Sequence, residues 1–242
     1  MAGYQERLQA FRTLCWRTGG ARFWASRRLK VEERWASLSI ATLTLIVIAV
    51  SLLDALHLGP FEKHSAPLTT VVIAFISIFI LLLSIIDSNA HRELRAHRLH
   101  ESGLRLGELR GEVENLIAKS AKGEEDWNAV ERIRVEYERE LRECQFNHEP
   151  IDDRRFMIEH RTSKEFLTEP GKPRINRAEA IGIFARYLLS SAWISLATWC
   201  LVVVILVVSA SYSPSGPKRA EASDTNITVE REITAVPSQR AK

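Results

Sequence analysis

Cysteine is scarce in this 242-residue chain. Cys15, Cys144 and Cys200 stand far apart, so neither a disulfide framework nor a Cys-x-x-Cys redox or zinc pair is available. Also missing are a Walker phosphate loop and a Gly-x-Gly-x-x-Gly turn. With these gone, the familiar nucleotide, dinucleotide and thiol chemistries go too. The chain reads as a non-enzyme with no cofactor and no metal. A net charge of only +3 supplies no general pull toward nucleic acid, and no direct nucleic-acid partner is expected. Strand-forming runs are rare between Ser88 and Ala180, where charges of both signs are interspersed, so that stretch is expected to be helical.

What the chain does have is three long runs nearly free of charge. Leu38–Leu58 carries only Asp54, while Pro67–Ile86 and Leu188–Val208 carry no charge at all. Each is about 20 residues, enough for a helix to cross ~30 Å of hydrocarbon. The first is not read as a signal peptide, because a charged stretch precedes it and no small-residue cleavage site follows. Gly59-Pro60 and Pro67 suit a turn between the first two spans, making them a hairpin. Met1–Trp35 holds eight Lys/Arg against three acids, and Arg92, Arg95 and Arg98 follow the second span. The positive-inside rule therefore puts the N-terminus and residues 88–186 in the cytoplasm and the C-terminal tail outside.

The fold class expected is an all-α integral membrane protein: a two-span helical hairpin, a cytoplasmic helical domain, a third transmembrane helix and a disordered C-terminal tail. The boundaries are 1–36 for a basic, aromatic interfacial region, 37–87 for the hairpin, 88–186 for the helical domain, 187–210 for the third span and 211–242 for the tail. In the first region, Phe11, Trp16, Phe23, Trp24 and Trp35 alternate with arginines, as in a helix lying on a membrane surface, and Gly19-Gly20 interrupts it. In the helical domain, Trp127, Val130, Arg134, Tyr137, Leu141 and Cys144 recur at three- and four-residue spacing and predict a packed seam. A second stripe runs through Leu94, Leu106, Leu109, Val113, Leu116 and Ile117, with Gly103, Gly107 and Gly111 spaced for a close approach.

Hydroxyls repeat every seven residues along the hairpin: Ser37, Thr44 and Ser51 on one helix, Thr70, Ser77 and Ser84 on the other. Residues seven apart fall almost in line on a helix, and each line ends close to an aspartate, Asp54 or Asp87. Small hydroxyl residues allow membrane helices to pack closely, and packing is the plainer reading. An acid at the membrane edge usually faces an aqueous cavity. In an oligomer, all eight residues would line a pore with acidic mouths that favours cations. Asp87 has a simpler alternative as a helix N-cap. His91, His97 and His100 do not share one helix face, and His148 has no nucleophile at a readable spacing, so neither group makes a metal or catalytic site.

"WRTGGARFWASRRL" (Trp16–Leu29), followed by a hydroxyl-bearing hairpin and later by "YERELRECQFNHEPIDDRRF" (Tyr137–Phe156), resembles the SLATT family of SMODS- and SLOG-associating two-transmembrane effector domains. The likeness spans roughly residues 11–167 and is greatest to the branch found beside reverse transcriptases. The matching residues are Trp16, Thr18, Arg22, Arg27, Arg28, Tyr137, Asn147, His148 and Asp152, and none carries a catalytic assignment. The resemblance implies an effector of a prokaryotic conflict (antiphage) system in the inner membrane. Such effectors are predicted to form pores or disrupt the membrane, causing cell death or dormancy when triggered. Its partners would be the lipid bilayer, further copies of the chain and a sensor or reverse transcriptase encoded nearby. The third span departs from a two-span pattern. The alternative function is a non-conducting membrane scaffold that recruits a soluble partner through its cytoplasmic helices.

Overall fold

The computed structural model describes residues 2–56, 66–169 and 171–211. The predicted hairpin turn and the predicted disordered tail lie outside the described residues, apart from their edges. Helix α1 (Ala2–Ala55) is a single run of 54 residues, about 80 Å long at 1.5 Å per residue. Helix α2 (Ala66–Asn89) returns antiparallel to it, and α3 (Arg92–Ser120) continues α2 beyond a short break. Helices α4 (Trp127–Glu143) and α5 (Pro150–Glu159) follow. A 3₁₀ turn (Lys164–Phe166) then leads to a two-strand antiparallel ribbon, β1 (Leu167–Glu169) with β2 (Lys172–Pro173). Helix α6 (Arg177–Ser211) ends the described chain.

By length and apolar composition, α1 and α2 each hold a segment able to cross a membrane. A third crossing counts only if the two arms of α6 are taken together, since Arg177–Trp193 and Ser195–Val204 differ in direction by 66°. Ser190 and Ser191 donate hydroxyl bonds to the carbonyls of Tyr187 and Leu188, a pairing that often bends helices.

The N-terminal half of α1 is set into the bundle by one face, whose buried residues recur at three-, four- and seven-residue spacing. Tyr4, Leu8, Cys15, Arg22, Ala25 and Leu29 are all buried. Tyr4 and Leu8 pack with Val113 and Leu116 of α3 and with Ala129, Val130 and Ile133 of α4. Cys15 packs with Leu106, Leu109 and Tyr137, while Ala25 and Leu29 pack with Ala96 and Leu99. Three helices thus form one bundle in which α1 and α4 run parallel and α3 runs against both.

The N-terminal half of α1 is therefore the central strut of the bundle, in contrast to the surface-lying helix expected over 1–36. The basic and aromatic residues there are largely spoken for by α3, α4 and α5. Nor does Gly19-Gly20 interrupt the helix. A Cβ on Gly20 would lie 2.1 Å from the Phe156 ring of α5, so the glycine lets that ring reach the α1 backbone. The α4 seam is also rotated from the expected one. Val130, Ile133, Tyr137 and Glu140 face inward, while Trp127, Arg134 and Leu141 are exposed. On α3, Leu94 is exposed and Leu99 takes its place in the core, and only Gly103 of the three glycines meets a neighbour, the Phe23 ring.

Two glycines should respond oppositely to alanine. Gly20→Ala must displace a buried ring and should destabilise the full chain by about 1–3 kcal/mol. Gly107→Ala meets nothing within 4 Å and should stabilise it by up to ~1 kcal/mol. Thermal unfolding in detergent would check both, and a stabilising Gly20→Ala would refute the packing described.

Candidate functional site

A line of charged and polar side chains runs along the buried face of α1. At its bundle end the Thr18 hydroxyl lies 3.1 Å from the Tyr137 hydroxyl. One turn on, the Arg22 guanidinium is 98% buried, with side-chain exposure of 2%, and donates to Ser102 Oγ. Ser102 donates to Glu140, whose other oxygen accepts from Arg105 at 3.2 Å. Arg22 Nε is buried with no hydrogen-bond partner.

The second group is larger. Arg28 holds Asp152 of α5 with two parallel bonds, Nε to Oδ1 at 2.9 Å and Nη2 to Oδ2 at 3.1 Å. Asp152 has no solvent exposure, and its Oδ2 also accepts from the Glu149 backbone N–H at 2.9 Å, capping α5. Arg28 Nη1 donates to Glu32 at 2.9 Å, and Nη2 lies 2.9 Å from Glu149 Oε1. Glu32 in turn lies 3.7 Å from Arg92 at the start of α3, and Arg92 pairs with Asp87 at the end of α2. The order is Asp152, Arg28, Glu32, Arg92, Asp87. It begins in the bundle and ends at the foot of the hairpin.

The electrostatics follow from burial. Burial works against the Arg28 charge, but the Asp152 bonds and the Glu149 and Glu32 carboxylates together raise its pKa. Burial raises the Glu32 carboxyl pKa, against the lowering pull of Arg28 and Arg92. Burial also pushes the Cys15 thiol up to about 11, which keeps it inert as a nucleophile.

Most of the motif residues named from the sequence meet here. Thr18 and Tyr137 pair, Arg22 and Arg28 are the buried cations, and Asp152 is the buried anion. His148 sits beside them with a buried, unpartnered Nδ1. Trp16 stands on the other side of α5, in edge contact with Phe156 at 5.3 Å and with Arg110 over its ring. Arg27 is exposed over Trp24, and Asn147 is exposed, its side chain accepting from the His148 N–H. The clustered histidines separate: His97 pairs with Glu101 and His100 meets the Phe23 ring edge to face, while His91 holds a left-handed backbone at the α2–α3 break.

The hairpin hydroxyls are not brought together. Ser37, Thr44, Ser51, Thr70, Ser77 and Ser84 are all exposed. Thr44, Ser51 and Ser77 bond back to Ile40, Val47 and Ile73 of their own helix. The Asp54 side chain lies outside the described residues. Asp87 is partly buried against Arg92, and His91, not Asp87, holds the N-cap position of α3. The polar contact between apolar helices runs elsewhere, from Ser39 of α1 to Ser195 of α6 at 3.1 Å, with Ser191 and Thr198 also buried. Sequence reasoning missed that stripe, although the four-then-three spacing of Ser191, Ser195 and Thr198 was a readable signal. It also missed Glu32, Arg92, Ser102 and Glu140, which look like ordinary surface residues until their helices pair.

The fold and this site define a class: a helical membrane protein whose charged bundle is joined to its apolar hairpin by buried ion pairs. The chain belongs to the SMODS and SLOG-associating 2TM effector domain family 5, whose pattern it matches over residues 4–209. It is thereby a membrane effector of conflict systems. Because the match runs through most of α6, that helix is part of the family's own pattern and no addition to it. No curated protein and no solved structure matches the chain.

Two measurements test the site. Asp152→Asn strips a buried pair of one charge and should cost about 3–5 kcal/mol in thermal or denaturant unfolding. The pH dependence should carry the mark of His148, whose pKa burial lowers. The unfolded state then binds a proton that the folded state refuses, so this stability is whole above ~6.5 and falls as pH drops through that value. His148→Gln should flatten the loss below ~6.5 in unfolding scans. An unchanged slope would remove His148 from the account.

Proposed function

We propose that the chain is an oligomeric, pore-forming effector of the inner membrane, held closed until a signal received by the bundle reaches the hairpin. The observation that carries this is the unbroken order of ion pairs from Asp152 to Asp87. Each pair is made between different turns or helices, so a shift of α5 would redistribute charge at the foot of α2. In the proposed orientation the N-terminus and bundle are cytoplasmic and the tail is outside, with α6 as a third span. Its setting is antiphage defence ending in cell death or dormancy, and its trigger a sensor or reverse transcriptase encoded nearby. No chemical step by the protein itself is required.

The exposure of the hydroxyl lines supports an oligomer, because a single chain leaves them facing outward. Neighbouring copies would turn those lines toward a shared axis. Asp87 takes a different part from the one expected of a free acidic ring. Paired with Arg92, it acts as the latch at the pore's inner edge. A second reading, a non-conducting scaffold, draws support from the same back-bonded hydroxyls, since their hydrogen-bonding capacity is partly used within their own helices.

Membrane potential in cells induced to express the protein separates the two. The pore reading expects depolarisation by wild type during phage challenge, and depolarisation without challenge in Asp87→Asn, which releases the latch, at matched protein levels. A wild type that inserts normally yet leaves the potential unchanged, even during phage challenge, would favour the scaffold.

A further inference from the structure

Most arginines of the bundle have carboxylates in reach: Arg12, Arg17, Arg28, Arg92 and Arg105 each lie within 4.0 Å of one. At the corner where α1, α5 and α6 meet, the pattern changes. Arg155 of α5 lies between two aromatic rings, its guanidinium carbon 4.1 Å from the Trp24 centroid and 5.3 Å from that of Phe184. Its Nε is buried without a hydrogen-bond partner, and no ion pair to it is found among the described residues. Arg27 stacks on the same Trp24 ring at 4.9 Å. The nearby acids are engaged: Glu159 accepts the Trp24 indole N–H at 2.9 Å, and Asp152 belongs to Arg28.

Beside this pair of arginines, α6 turns an apolar stripe outward. Ile181 is 70% exposed and Leu188 50% exposed, and Phe184, between them, is 44% exposed. Positions 181, 184 and 188 share one helix face. The stripe runs on without interruption into the exposed apolar surface of Leu189 and Trp193. An apolar stripe alone would have no defined occupant. Two guanidiniums held on aromatic faces at its edge supply one, because aromatic rings and arginines together mark the headgroup level of a membrane.

We infer that this corner seats the phosphate headgroup of an anionic phospholipid, between Arg27 and Arg155, with the Ile181–Leu188 stripe resting on the acyl chains below it. Stacking on Trp24 and Phe184 sets the depth of the Arg155 guanidinium, and because its Nε is buried the phosphate oxygens are met by the Nη1 and Nη2 end. The first arm of α6 then passes through the headgroup level before the second arm continues inward, in keeping with the 66° between the two arms. Anionic lipid would thus clamp α5, and with it Asp152, against the bilayer. The inference needs the membrane location of the chain but not the pore.

Native mass spectrometry of the full chain, with phosphatidylglycerol and phosphatidylcholine supplied at equal concentration, tests it. Wild type should retain phosphatidylglycerol preferentially. Arg155→Gln should weaken that retention about fivefold, and Arg139→Gln, on the far face of α4, should leave it unchanged. Should Arg155→Gln fail to fold, nitroxides on Ile181→Cys and Leu188→Cys give a second measure, with Cys144 and Cys200 made serine and Cys15 left as the inert buried thiol. Both labels should report a shallow depth in phosphatidylglycerol nanodiscs. Equal retention of the two lipids, displacement of the lipid by millimolar inorganic phosphate, or an Ile181 label in water with the Leu188 label deep would each overturn the inference.

Discussion

Asp152 has no contact with solvent, so its charge is tolerable only while Arg28 holds both of its oxygens. That pairing fixes the register of α5 on α1, and much else follows from it. It brings Phe156 onto the bare backbone at Gly20, and Phe156 in turn lies against Trp16 and Phe166. It also places the α5 N-terminus where Asp152 caps it, so one carboxylate serves the helix end and the helix contact together. Moving α5 away would strand a buried anion and a buried cation at once. Such a contact resists gradual slippage and instead switches between made and broken.

The geometry of the long helices gives that property a reach. Because α1 is one helix from bundle to membrane, a tilt of its polar half is carried into its apolar half. The return path is less rigid, since α2 and α3 meet at His91, whose positive φ breaks the helix. Arg92 sits next to that break and holds Asp87 on one side and Glu32 on the other. The weakest backbone point between bundle and hairpin is thus braced by side chains, and those side chains answer to Arg28.

The apolar runs were legible in the sequence because membrane crossing demands length and absence of charge, both visible without a partner. The family was legible too, through the resemblance carried by Trp16–Leu29 and Tyr137–Phe156. The role of residues 1–36 was not. A row of arginines and aromatics looks the same whether it faces headgroups or a second helix, and only the carboxylates of α4 and α5, more than a hundred residues away, decide. The α4 seam was misjudged by one helix position for a related reason. Trp127 and Leu141 are apolar but exposed, while Glu140 is charged but buried, because Arg22 and Arg105 neutralise it. The hydroxyls recur every seven residues, yet that spacing says nothing of which neighbour they meet.

Among the described residues, Glu32 is the one carboxylate that touches both the bundle side and the hairpin side of the charge order, through Arg28 and Arg92. Amide hydrogen exchange of the full chain in nanodiscs, comparing wild type with Glu32→Gln, therefore addresses the central claim most directly. The account predicts faster exchange in two separated places, the first turn of α5 and the Asp87–Arg92 junction, with α4 unchanged. Faster exchange confined to α1 around position 32, with both distant segments as in wild type, would contradict it.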